Sequence, residues 1–459
     1  MSLMVSISGI RGIVGETLTP EIIVKYTAAY AEYCGGGTIV IGRDGRITGK
    51  VIGNIVSSTL LSMGCDVIAL GVVPTPTVAL AVEKLGASGG ISITASHNPI
   101  EWNGLKFFSS TGLFLDEEEN KRFWEIANRG NFKYTRWNEV GQHHPDDTFI
   151  QRHIDEVLKL PYIDKKKIEN RKFKVVIDCI NAAGGEIVPK LLRQLGCDVI
   201  EMNCDVSGVF ARAPEPIPEN LTEVCERVKK EKADIGIVVD PDVDRLVFID
   251  ERGEPIGEEY TITCITKFIL EKYFNKNKSE IRNPKSEIVI VNLSTTRAIN
   301  DVAQSFGVAV VRTPVGEINV AKKMKEIGAI VGGEGSGGVI LPDVHYGRDA
   351  IVGIPLMLEQ LIEFGGTLSE LKQSFPQYFI AKSKVSVAGK KTSKLFEQLI
   401  SIYGHLGKIN TDDGLKIDFP DSWVHLRKSN TEPIIRIIAE APTMLKAQEL
   451  AEDFKQQLE

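Results

Sequence analysis

TIVIGRDGR (Thr38–Arg46) leads through a helical stretch into LLSMGCDVIALG (Leu60–Gly71), and this pair of segments decides the fold because the chain writes it three times. It returns as KVVIDCINAAGG (Lys174–Gly185) with LLRQLGCDVIEMN (Leu191–Asn203), and again, more weakly, as EIVIVNLSTTR (Glu287–Arg297) with VAQSFGVAVVRT (Val302–Thr313). In each copy a short apolar, β-branched run precedes an amphipathic helix that stops at a glycine (Gly64, Gly196 or Gly307), and a second apolar run follows. β-Branched side chains favour a pleated, buried strand, and glycine takes the left-handed conformation that ends a helix. This is the grammar of a right-handed β-α-β crossover on a parallel sheet. Three copies predict three similar mixed-sheet α/β domains. Beyond about residue 370 the pattern changes to LKIDF, WVHLRKSN and PIIRIIAEA, closely spaced strands followed by a helix from about Met444, which predicts a C-terminal α+β domain.

A chain of 459 residues is too long for one core, so several domains with clefts between them are expected. The predicted division is 1–150, 151–255, 256–370 and 371–459. Net charge is −7, from 54 Lys and Arg against 61 Asp and Glu, without a dense basic run, which argues against a nucleic-acid partner. The N-terminus MSLMVSISGIRG has no cationic stretch followed by a long apolar one. No apolar run reaches the roughly 18 residues that span a bilayer, so no membrane association is expected and the expected location is the cytoplasm. The seven cysteines are scattered, as in VVIDCI and LGCDVI, and are expected to be reduced core thiols.

Four segments carry chemistry. In ISITASHNPIEWNGLKFF (Ile91–Phe108), Ser96 follows an apolar strand within a polar turn that closes at Pro99, so its hydroxyl is expected to be exposed at a strand end. The hydrolase elbow G-x-S-x-G is missing, and His97 is a poorly placed neighbour for a triad. A serine that carries phosphate needs no such activation, only cations to hold its charge, and His97 and Lys106 are candidates. In IGIVVDPDVDRLVFID (Ile235–Asp250), Asp240, Asp242 and Asp244 alternate after an apolar strand, so three hard oxygen donors gather at its C-terminal end, as magnesium requires. An EF-hand is excluded because Arg245 holds the position that must be glycine and LVFID continues as strand.

In VGGEGSGGVILPDVHYGRDA (Val331–Ala350), Gly333, Gly335 and Gly338 match G-x-G-x-x-G, but VILP follows where a dinucleotide site needs a helix. The glycines are expected instead to let backbone approach a ligand, with Glu334 and Ser336 hydrogen-bonding sugar hydroxyls. In LRKSNTEPIIRI (Leu426–Ile437), Arg427, Lys428, Ser429, Asn430, Thr431 and Arg436 combine cations with hydroxyl and amide donors around a turn, the composition of a phosphate cradle.

TASHNP, DPDVDR, GEGSGG and RKSNTEP in this order resemble the α-D-phosphohexomutase superfamily over nearly the whole chain. SGIRG (8–12), GRDGR (42–46), PEP (214–216) and TPVGE (313–317) support the resemblance. DPDVDR, and GEGSGG followed by GRDA, are most similar to the archaeal-type phosphoglucosamine mutase subgroup.

The resemblance implies an isomerase whose four domains, phosphoserine, metal, sugar and phosphate in chain order, surround one central cleft. It implies that Ser96 carries the phosphoryl group and that magnesium is held by Asp240, Asp242, Asp244 and a phosphoserine oxygen. Arg245, Arg11 and Lys106 would stabilise the transferring group. Thr313 and Gly316 fall in the matching TPVGE segment and join Arg245, Glu334 and Ser336 as substrate-binding candidates. A hexose phosphate would be the substrate, with glucosamine phosphate favoured over glucose or mannose phosphate, and a hexose 1,6-bisphosphate the intermediate and primer. The expected assembly is a monomer or homodimer. Many relatives end the sugar loop in histidine, GExSGH, a candidate proton carrier, whereas this chain has Gly338 there. His345 and Lys106 are the candidates to take its place.

Overall fold

The structure, a computed structural model, describes residues 3–276, 288–387, 391–428 and 434–459. The three repeats form as expected. Thr38–Arg43 pairs in parallel with Asp66–Val72 across the helix Gly49–Ser62, and Lys174–Asp178 with Asp198–Met202 across Gly184–Gln194. Ile288–Asn292 pairs likewise with Ala309–Thr313 across Ala298–Ser305. Gly64, Gly196 and Gly307 turn out of their helices at φ of 81°, 71° and 71°.

Each sheet then continues in the same way. A third parallel strand, Gly89–Ile93, Ile235–Val239 or Val331–Glu334, lies on the other side of the first. It is followed by an antiparallel partner, Trp102–Ser109, Leu246–Ile249 or Gly338–Ile340. The sheets are therefore mixed, and the loops between these last two strands are topologically equivalent. They are the loops that carry Ser96, the three aspartates and Ser336. The fold thus presents one functional loop from the same corner of each repeat.

The C-terminal sheet is antiparallel, in the order Phe379–Ser386, Ile434–Ala441, Trp423–Lys428, Leu415–Asp418, Lys408–Asn410, and the helix Met444–Leu458 packs on it. The second and third sheets share one hydrophobic cluster that runs from Ile154 to Phe375. The helix Ala350–Phe364 lies inside it, buried on every side from Ala350 to Leu361, which explains why its sequence is apolar almost all round. The first sheet has clusters of its own on its two faces. Among the described residues no helix is long and apolar enough to cross a membrane.

Candidate active site

After the strand Gly89–Ile93 the chain reverses through Ser96, a non-glycine residue at φ 50°, a conformation that persists only where its surroundings impose it. Arg46 imposes it. Its guanidinium donates to the carbonyls of Ser96 and Asn98, both at 2.7 Å, and to those of Pro99 and Trp102 at 2.6 and 2.8 Å. Asp44, itself buried, orients Arg46 at 3.1 Å and accepts a 2.7 Å bond from the Thr94 hydroxyl. GRDGR is therefore the brace of the serine loop. Arg46→Ala strips four carbonyls and one carboxylate of their partner in a buried setting, so a loss of about 3–5 kcal/mol of stability is expected, read as a lowered thermal midpoint.

Ser96 itself is only 2% exposed, which corrects the expectation of an exposed hydroxyl. The aspartate loop of the second sheet lies over it, with Ser96 Oγ 3.4 Å from Asp240 Oδ2 and 3.4 Å from His97 Nδ1. Burial, then Arg245 and Arg11, hold the His97 imidazole well below its ordinary range. Arg11 reaches the same loop, donating to Asn98 Oδ1 at 3.1 Å.

The aspartates follow the strand Ile235–Val239, and Val243 at φ 62° turns the loop. All three are buried. Asp240 Oδ1 accepts the backbone N–H groups of Asp244 and Arg245 at 3.1 Å. Asp242 Oδ2 accepts from Lys106 and Thr75, both at 2.7 Å. Asp244 Oδ2 accepts from Lys106 at 3.1 Å and Arg348 at 2.7 Å. Each carboxylate therefore spends one oxygen on the protein. The other oxygens of Asp242 and Asp244 are buried without any hydrogen-bond partner, and that of Asp240 faces Ser96. Burial and the two neighbouring aspartates raise the Asp240 carboxyl well above its ordinary range. Hard oxygens left bare, with ligand atoms of all three residues within 4.8 Å of one another, fit a divalent cation.

The sugar loop corrects one expectation. Its glycines make room for the protein's own side chains: a methyl at Gly335 would overlap the carboxylate of Glu259, and one at Gly338 the Cδ of Arg348. Both oxygens of Glu334 have protein partners, Oε1 the Asn292 Nδ2 at 2.9 Å and the Gly316 N–H at 3.1 Å, and Oε2 Arg348 at 2.7 Å, while Glu334 still lines the cavity described below. Thr313 turns its hydroxyl to the Pro314 carbonyl at 3.1 Å, and its own carbonyl accepts from Leu293 N–H. His345 is buried with both ring nitrogens engaged, Nδ1 by the Gly347 N–H and Nε2 by Asp349 Oδ2, both at 2.9 Å. The same Asp349 oxygen binds His153 at 2.7 Å and the other caps the helix Ala350–Phe364, so His345 is part of a packed network. Lys106, whose attraction to Asp242 and Asp244 overrides burial and raises its pKa, is a fixed cation rather than a proton acceptor.

A cavity of about 590 Å³ opens beside these loops. It is lined by Arg245, Glu334, Ser336 and Arg348 on one side and by Arg427 and Arg436 of the C-terminal domain on the other. Ser429, Asn430 and Thr431 lie outside the described residues, in the link of the hairpin between Trp423–Lys428 and Ile434–Ala441. Sequence reasoning missed Arg348, Glu259, Glu215 and Lys382 among the lining residues. Glu215, from PEP, holds Arg245 at 3.1 Å. Burial and Glu258 push the Glu259 carboxyl up to about 8. GRDA and PEP were visible as patterns, but nothing local in them announced a position in the cleft.

A buried serine against an acidic, cation-flanked cluster, near a cavity that residues of the second, third and C-terminal domains line with arginines and lysine, is the chemistry of an enzyme that handles phosphoryl groups on a small molecule. Comparison with known proteins gives the family. Residues 4–134, 151–253, 265–379 and 383–457 match phosphoglucomutase/phosphomannomutase alpha/beta/alpha domains I, II and III and the C-terminal domain, respectively. A "probable phosphoglucosamine mutase" of Methanopyrus kandleri is 37% identical, covering 97% of this chain and 96% of that one. A phosphoglucomutase/phosphomannomutase of Thermococcus kodakarensis is also 37% identical, with the same coverage. The solved structure of a phosphoglucomutase/phosphomannomutase family protein from Burkholderia thailandensis superposes with a TM-score of 0.83 at 25% identity, covering 99% of this chain and 98% of that one. The chain belongs to the phosphoglucomutase/phosphomannomutase family, within the α-D-phosphohexomutases, and is an isomerase of that class.

Proposed function

We propose that the protein interconverts the 6- and 1-phosphates of glucosamine, with Ser96 as the phosphoryl carrier. The observation that carries this is the contact of Ser96 Oγ with Asp240, beside bare oxygens of Asp242 and Asp244 and the cation Lys106. Phospho-Ser96 donates to the free hydroxyl of the bound hexose phosphate: the serine O–P bond breaks as the sugar O–P bond forms, and the proton lost by that hydroxyl is balanced by the one Ser96 Oγ takes up. The resulting 1,6-bisphosphate turns end for end in the cleft, and Ser96 takes the other phosphoryl group. Phosphoryl transfer of this kind is mostly positioning and charge neutralisation. Arg11, Lys106 and Arg245 supply the protein's charge at the transferring group. Arg427 and Arg436, with Ser429, Asn430 and Thr431, hold the phosphate that is not reacting. Asp240, Asp242 and Asp244, with a phosphoserine oxygen, would hold magnesium, which would supply the remaining positive charge. A hexose 1,6-bisphosphate primes Ser96.

The GEGSGG and GRDA segments and the Methanopyrus relative favour the amino sugar. The Thermococcus relative of equal identity favours a second reading, glucose or mannose phosphate. Phosphorus NMR of the protein with magnesium, a trace of the matching 1,6-bisphosphate and, separately, the 6-phosphates of glucosamine, glucose and mannose separates them. The 1-phosphate resonance is expected to grow fastest with glucosamine. Faster growth with glucose or mannose establishes the second reading, and inorganic phosphate as the product overturns both.

A further inference from the structure

Gly338 and Arg348 are a matched pair. A methyl at Gly338 would overlap Arg348 Cδ and lie 2.9 Å from Cγ, so position 338 has no room for a side chain while Arg348 holds its place. Arg348 fills the space in which the histidine of GExSGH sequences would begin. What it does there is set by three ion pairs. Its Nε donates to Glu317 Oε2 at 2.9 Å, Nη1 to Glu334 Oε2 at 2.7 Å and Nη2 to Asp244 Oδ2 at 2.7 Å. Its backbone N–H also binds Glu317 Oε1 at 3.0 Å, which fixes the base of the side chain.

The three carboxylates belong to different parts of the cleft. Glu317 opens the helix Glu317–Ile327 behind Gly316, Glu334 is in the sugar loop, and Asp244 is in the aspartate loop of the neighbouring sheet. A guanidinium is planar, with donors in a fixed fork, so it cannot follow one partner without leaving another. By holding Asp244 Oδ2, which also accepts from Lys106 at 3.1 Å, Arg348 helps set the direction of Asp244 Oδ1, the buried oxygen that has no partner. A shift of Glu334 when sugar binds would therefore reach a cation ligand through one rigid group.

We infer that Arg348 is a positioning residue that couples divalent-cation binding at Asp244 to sugar binding at Glu334, and that residue 338 is glycine to admit it. The inference rests on the mutase reading of the cleft. Coupling between two binding sites is reciprocal. The test is manganese binding by electron paramagnetic resonance, with and without 2-amino-1,5-anhydro-2-deoxyglucitol 6-phosphate, which lacks the 1-hydroxyl and cannot turn over. The full-length protein is expected to bind manganese about five- to tenfold more tightly with the sugar phosphate present. Arg348→Lys keeps the charge but not the fork, and Gly338→Ala adds one methyl and no charge. Both are expected to reduce the enhancement to less than twofold while still binding each ligand alone. Enhancement of wild-type size in either folded variant overturns the coupling, as does its absence from the parent protein when both ligands bind singly. Failure of the parent to bind the sugar phosphate at all counts against the mutase reading instead.

Discussion

Ser96→Ala is expected to lower kcat for hexose phosphate interconversion by at least about four orders of magnitude, or roughly 5.5 kcal/mol of barrier. Among the described residues, Ser96 Oγ is the hydroxyl that faces Asp240 of the aspartate cluster, while Lys106 is pinned as a cation between two carboxylates. The fold should barely notice the change. The hydroxyl's two contacts, at 3.4 Å, are long for hydrogen bonds, and the loop is held through backbone carbonyls and the 2.8 Å bond from Ser96 N–H to Thr94, which alanine keeps. The thermal midpoint is therefore expected to move by less than about 1 kcal/mol equivalent. A coupled mutase assay and calorimetry read the two quantities side by side.

Asp240→Asn is expected to push activity and metal-free stability in opposite directions. Asparagine keeps the oxygen that accepts the Asp244 and Arg245 N–H groups, but places an amide where Asp240 Oδ2 faces Ser96. Activity should fall by about 10³-fold or more, roughly 4 kcal/mol, because the proposed cation site loses a ligand. In the cation-free protein, burial and the neighbouring Asp244 and Asp242 charges raise the Asp240 carboxyl above its ordinary value. A folded-state pKa above the unfolded one means the folded protein binds the extra proton. The stability this contributes is fully present below the unfolded value, near 3.8, and is lost as pH rises through the folded one. At pH 7–8 Asp240→Asn should therefore be as stable as the parent or more so without metal, and should lack the rise in thermal midpoint that is expected of the parent with magnesium. A variant destabilised without metal and still stabilised by magnesium contradicts this account of the aspartate loop.

The aspartates and the serine were legible in the sequence because each sits directly after a strand, and strands announce themselves by local apolar runs. The repeats were legible for the same reason, as was the C-terminal sheet where strands are apolar. What was not legible depends on contacts between residues far apart in the chain. The burial of Ser96 comes from an aspartate 144 residues away, and the Asp244 partner Arg348 is 104 residues off. Arg46 entered only as the end of the GRDGR segment, although its four carbonyl partners make it a central brace. His345 had the right chemistry for proton transfer, but its nitrogens are occupied by Asp349 and Gly347, partners that local pattern does not rank. The glycines of the sugar loop were read as room for ligand, when Glu259 and Arg348 take that room.

The phosphoryl route through Ser96 is tested most directly by labelling. The protein is incubated with magnesium and a hexose 1,6-bisphosphate carrying radioactive phosphorus, the labelled peptide is sequenced, and a second sample is chased with unlabelled hexose 6-phosphate. The account predicts label on Ser96 and its complete transfer to the sugar within a turnover. Label on another residue, or its release as inorganic phosphate during the chase, contradicts it.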